Sequence, residues 1–151
     1  MPDETTVFNR IDEVIEPFTD YRKALDNLRA LPRGYAMCFA SHYVQADIFN
    51  GGISQLYGNS TWALILDAVA AAENAGVKPV ADVLKQIVYY YHKRGRSKLK
   101  RRIEDNYFDD MPDDWDKSLE QLDDEYFELG SECEKIVPAL CTEREDLFAE
   151  G

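Results

Sequence analysis

The sequence predicts an all-α fold, a compact single-domain bundle of about six to nine helices, and three observations predict it. Apolar residues recur at three- and four-residue spacing along most of the chain. No alternating apolar/polar run is long enough to read as a strand. Gly, Pro and Asn punctuate the chain between the periodic segments. A length of 151 residues suits one domain spanning 1–151, and 45% hydrophobic content suits an ordinary core.

The elements follow in order. Thr5 and Thr6 precede Val7, Ile11, Val14, Ile15 and Phe18, a first helix that Pro17 interrupts near its end. Thr19 or Asp20 caps a second helix with Tyr21, Leu25 and Leu28 as its buried stripe, closed by Leu31-Pro32-Arg33-Gly34. Tyr35 to Phe49 is apolar or small except at Ser41, His42, Gln45 and Asp47, so this helix is buried on most sides. Asn50-Gly51-Gly52 then breaks it, because Gly tolerates positive φ and Asn visits the left-handed region readily. Ile53, Leu56 and Tyr57 restore an apolar face beyond the break, and the Gln55 and Asn59 amides are expected to bond the exposed ends of a neighbouring helix. The corner reads as structural.

Trp62, Leu66, Val69 and Glu73 lie on successive turns of the next helix, which Gly76 ends and after which Pro79 opens another. That one uses Val80, Val83, Leu84, Ile87, Val88 and Tyr91 as its core face and runs into the basic stretch Lys93–Arg102. Trp115, Leu119, Leu122, Tyr126 and Leu129 form an amphipathic seam that Gly130 stops. Ser131–Glu134 and Thr142–Glu145 read as capping boxes, and Pro138 limits the helix between them.

Composition narrows the function. Three cysteines without a C-x-x-C pair argue for reduced thiols in a cytoplasmic protein. The polar, acidic start is unlike a secretory signal, and the most apolar run, Trp62 to Ala72, is too short to span a bilayer. There is no phosphate-binding, dinucleotide-binding or nucleophile-elbow motif, and His42 and His92 stand in no metal-ligand spacing. Cys38 and His42 share a helix face, yet both read as packing of a buried helix. No cofactor, metal or catalytic group is expected, and no enzyme.

Charge is the unusual feature. Residues 1–103 hold 14 Lys/Arg against 11 Asp/Glu, whereas residues 104–151 hold 3 against 18. Between Glu104 and Glu134 fourteen carboxylates face one opposing lysine, Lys117. The basic run Lys93–Arg102 reads as a solvated helix end that offsets this segment. Direct binding to a duplex is not expected, since neutralising phosphates needs cations. On composition alone the acidic segment serves solubility and a few salt bridges. Its sharper use is imitation of nucleic acid: carboxylates four apart on a helix sit about 6 Å apart, close to the spacing of consecutive phosphates.

Two stretches add to this. Ile48 to Ser60, containing Asn50-Gly51-Gly52 and Gln55, resembles the Asn-Gly-Gly-aromatic-x-Gln signature of a bacterial all-helical family. Leu122-Asp123-Asp124-Glu125-Tyr126-Phe127-Glu128-Leu129 resembles its second block. Phe49 stands where a second Asn is common and Ile53 where an aromatic is common. The family is a domain of unknown function that includes an acidic, dimeric DNA mimic, which binds a helix-turn-helix transcription factor and keeps it from its operator. The resemblance covers roughly residues 35–140 and implies some loop within 104–134. It implies a homodimer whose acidic face occupies the DNA-binding site of a transcriptional regulator, with Asp109, Asp110, Asp113, Asp114, Asp116, Glu120, Asp124 and Glu128 as contacts. Asn50, Gly51, Gly52, Gln55 and Asn59 mark the fold. The alternative is an immunity or inhibitor protein that neutralises a toxin or enzyme through the same patch.

Overall fold

The computed structural model describes residues 2–15, 20–93 and 113–149, with the side chains of Lys93 and of 113–118 outside that description. Among the described residues every regular element is helical. Helix α1 (Glu4–Ile15) buries Val7 and Ile11. Its cap is Asp3, whose Oδ1 accepts the Thr6 N–H at 2.8 Å, so Thr5 and Thr6 lie inside the helix and do not precede it. Pro17 lies outside the described residues. In α2 (Tyr21–Arg29) the expected cap forms: Asp20 is extended (φ −89°, ψ 116°) and accepts the Arg22 N–H at 2.9 Å. Leu25 and Leu28 are buried while Tyr21 is exposed, and Asn27 Nδ2 ties α2 to α1 through Val14 O at 2.7 Å.

Helix α3 (Arg33–Gly58) is the axis of the molecule. It is buried from Gly34 to Cys38 and at Ala40, Ser41, Val44 and Ile48, while His42, Tyr43, Ala46 and Phe49 stay exposed on one side, and α1, α2 and the later helices pack around it. A 3-10 turn (Ser60–Leu64) leads into α4 (Ile65–Asn74). The buried face of α4 is Ile65, Ala68, Val69, Ala71 and Ala72, whereas Leu66 is 68% exposed and Glu73 faces solvent. Of the expected positions Trp62, Leu66, Val69 and Glu73, the core therefore takes Val69 and packs Trp62 against its edge, while Leu66 and Glu73 point outward. Small alanines let α4 lie close against α3, and that approach outweighs burial of one leucine.

The end of α4 follows the expected chemistry. Gly76 has φ +76°, its N–H reaches Glu73 O at 3.1 Å, and the Val77 N–H reaches Ala72 O at 2.9 Å, the paired bonds of a Schellman cap. Pro79 then sits in the first turn of α5 (Lys78–Lys93), which buries Val80, Ala81, Val83, Leu84, Ile87 and Tyr90. The basic run beyond Lys93 lies outside the described residues.

Helix α6 (Asp113–Glu128) buries Leu119, Leu122 and Tyr126 of the expected seam, and Leu129 is half-buried against the core just beyond its end. A turn at Leu129 follows, and Gly130 opens the short α7 (Gly130–Cys133) rather than closing α6. Neither capping box forms. Ser131 lies inside α7, and Thr142 lies inside α8 (Ile136–Glu143), where its hydroxyl donates back to Pro138 O at 2.9 Å. Pro138 occupies the first turn of α8, where its missing N–H costs nothing. A final 3-10 turn (Glu145–Phe148) buries Leu147 and Phe148, and the Phe148 ring meets Tyr35 edge-on at 5.3 Å. No helix among the described residues is long and apolar enough to cross a membrane.

Candidate functional site

The corner in α3 positions the acidic helix. Only Gly52 leaves helical geometry (φ 80°, ψ −179°), so Asn50 and Gly51 continue the helix and the chain pivots on one residue. The pivot exposes the backbone N–H of Ile53, the first of a new helical run. Asp123, seventy positions later on α6, accepts that N–H through Oδ1 at 2.8 Å. It caps a helix segment to which it is not adjacent in sequence. A Cβ at Gly52 would stand 3.1 Å from Asp123 Oδ2, so glycine serves both the positive φ and the close approach. Gln55 Nε2 and Asn59 Nδ2 both donate to Asp47 Oδ1, at 3.4 and 3.3 Å. The two amides therefore join a side chain of α3 itself, not the end of a neighbouring helix. A carboxylate accepts both more readily than helix-end carbonyls that also face water.

With Asp123 turned inward, α6 divides into three sides. Leu119, Leu122 and Tyr126 face the core. Glu120, Asp124 and Glu128, four residues apart, form an exposed crest along its outer side, at about 6 Å per step. Among the described residues no cation pairs with any of these three. Elsewhere acids do pair: Glu132 with Lys135 at 2.8 Å, Asp146 with Arg144 at 3.0 Å, and Asp67 with Arg29 at 2.9 Å. Among the described residues, then, nothing offsets the charge of the crest. Its field is felt at Asp123, whose carboxyl is raised above its ordinary value chiefly by burial. The Ile53 bond opposes that rise, and repulsion from Asp124 and Glu120 adds to it.

Aromatic rings flank the crest. On the α3 side Phe127 (44% exposed) stacks on Phe49 (39% exposed), centroids 5.8 Å apart, and Phe49 also meets buried Tyr126 at 5.3 Å. On the α5 side Gln86, Tyr89, Tyr90, Gln121, Leu122 and Glu125 line a groove of about 230 Å³, with Tyr89 65% exposed at its edge. Sequence reasoning missed these rings, since nothing local marks a phenylalanine as half-exposed.

Of the expected contacts, Glu120, Asp124 and Glu128 are brought together on the crest. Asp113, Asp114 and Asp116 belong to the first turns of α6, and Asp109 and Asp110 lie outside the described residues. Cys38 and His42 do not form a pair. Cys38 is fully buried with its thiol toward Cys141, whereas His42 is exposed against Phe8 and Tyr43, at 5.5 and 4.9 Å, and is not core. Burial pushes the Cys38, Cys133 and Cys141 thiols up, so none is a ready nucleophile. Among the described residues no three His, Cys, Asp or Glu side chains are placed to hold a metal ion.

Residues 29–143 match the model of the DMP19-like protein family. The chain belongs to that family. The match takes in the corner, α4, α5, α6 and α8. Membership fits a DNA-mimicking role and a protein partner at the level of the family. No curated protein and no solved structure matches the chain significantly.

Proposed function

We propose that this protein is a non-enzymatic DNA mimic. It occupies the DNA-binding surface of a helix-turn-helix transcriptional regulator, keeps that regulator from its operator, and works in the cytoplasm as a homodimer. The observation that carries this proposal is the exposed crest Glu120–Asp124–Glu128, which no cation among the described residues pairs, held outward on a helix tied to the corner by Asp123. Carboxylates at phosphate-like spacing on a rigid helix offer a basic surface the charge pattern of a nucleic-acid backbone. They present it without the conformational freedom a flexible acidic tail would lose on binding. The carboxylates of residues 104–116 extend the same charge along the chain.

Binding of this kind is steered by charge and weakens steeply with salt. The test is a triple variant, Glu120→Gln, Asp124→Asn and Glu128→Gln, compared with the natural protein for binding to the regulator recovered from its host. Affinity should fall at least about tenfold, at roughly 0.5–1.5 kcal/mol for each lost charged contact. Thermal stability should hold or rise, since like charges have been removed. Unchanged affinity, or binding indifferent to about 0.5 M salt, would remove charge mimicry as the mechanism.

A further inference from the structure

We propose that the partner surface recognised by α6 is specifically arginine-bearing, because the acidic crest runs beside exposed aromatic faces that arginine can stack on while pairing with carboxylate. The proposal rests on the acidic-face reading above and names the chemistry of its partner. At about 100° per residue, Phe127, Glu120, Asp124 and Glu128 fall within about 100° of arc on α6. Phe127 therefore shares its side of α6 with Asp124 and Glu128, which no cation among the described residues pairs. Its other contact is already made, by stacking on Phe49 at 5.8 Å with the planes 25° apart, which presents a supported platform and not a loose side chain. Tyr89 and Glu125 repeat the combination of ring and carboxylate across the crest, at the α5 groove.

A mimic of a phosphate backbone needs carboxylates only, and exposed phenylalanine adds nothing to that. Ring plus carboxylate is the combination that separates arginine from lysine. A guanidinium is planar and weakly hydrated, lies flat on a ring, and still directs N–H groups sideways to carboxylates. A lysine ammonium is a strongly hydrated point charge and gains less from the ring. Aromatic residues and arginine are also the residues that most often dominate protein–protein binding energy. Part of the binding should therefore survive salt that screens the exposed crest.

The test uses two labelled helical peptides of equal length and equal positive charge, one carrying only arginine and the other only lysine. Binding is measured by anisotropy to the natural protein and to Phe127→Leu, Tyr89→Leu and Asp124→Asn variants. Leucine keeps helix propensity and apolar bulk while removing the ring, and circular dichroism confirms an unchanged fold. The natural protein should prefer the arginine peptide. Phe127→Leu should lower that preference about two- to five-fold while leaving lysine-peptide affinity unchanged, and Asp124→Asn should weaken both peptides. An arginine preference equal in the natural protein and both ring variants would overturn the inference while leaving the acidic face standing. Failure of both peptides to bind at low salt would overturn the inference and the acidic-face reading together. If Phe127→Leu instead dissociates a dimer of this chain, the ring belongs to an interface between copies, and the inference also falls.

Discussion

Replacing Asp123 by alanine removes the side chain that hydrogen-bonds the corner of α3 to the acidic helix. The Ile53 N–H it accepts at 2.8 Å belongs to a residue with no exposed surface, so water replaces the lost partner poorly. Loss of a helix cap costs about 0.5–2 kcal/mol, and an unsatisfied buried donor costs about 1–3 kcal/mol. Asp123 is itself only half-buried, so solvent screens its charge and the lower parts of these ranges apply. A loss of about 1.5 kcal/mol follows, or roughly 3–6 °C in Tm for a chain of this size. Asp123→Asn keeps an acceptor for Ile53 and should cost less than half as much. The pH dependence separates the two effects. Burial, opposed by the Ile53 bond and aided by Asp124 and Glu120, raises the Asp123 carboxyl above its ordinary value. A carboxyl raised on folding contributes stability below its unfolded pKa, near about 3.9, and that contribution is lost as pH rises through the folded value. The Asn variant should therefore compare better with the natural protein at about pH 7 than at about pH 3.5. Urea unfolding at both pH values measures all of this. An Asp123→Ala loss under about 0.3 kcal/mol, or an Asn variant that gains as pH falls, would refute the reasoning.

Further predictions follow from single contacts. Gly52→Ala forces a non-glycine residue to φ 80° and sets a Cβ 3.1 Å from Asp123 Oδ2, so it should cost about 1–3 kcal/mol in urea unfolding. Tyr57→Phe deletes a buried hydroxyl that donates to Ile87 O at 2.7 Å. It should cost about 0.5–1.5 kcal/mol, with circular dichroism otherwise unchanged. Cys38, Cys133 and Cys141 are all buried with raised thiol pKa values, so a thiol reagent at mildly alkaline pH should label none of the three quickly. Denaturant should expose all of them, and the count is read by mass spectrometry.

What the sequence made legible was local. The Asp20 cap, the Gly76 stop and the Pro79 start depend on neighbours within a turn, and each formed as expected. The corner was legible as a break, because few residues besides glycine sit comfortably at φ 80°. Its mechanical purpose was not, since the Ile53–Asp123 bond joins residues seventy positions apart. The same limit misplaced Gln55 and Asn59, whose acceptor proved to be Asp47. In α4 a periodicity count weighted Leu66 above the alanines, but close approach to α3 favours the smaller side chains. The two supposed capping boxes had the right letters inside helices that had already begun. For the site, the acidic composition pointed to α6. Only the structure separated Asp123, turned inward as a tether, from Glu120, Asp124 and Glu128, turned outward as a crest.

The most direct test of DNA mimicry is competition on immobilised protein loaded at low salt with its regulator from the native host. Duplex DNA carrying the regulator's operator is added at constant ionic strength, and release is followed in real time. Mimicry predicts that duplex displaces the regulator in proportion to its affinity for the operator, because both occupy one surface. A regulator that salt releases but duplex leaves in place would contradict it and point to an inhibitor acting at another surface.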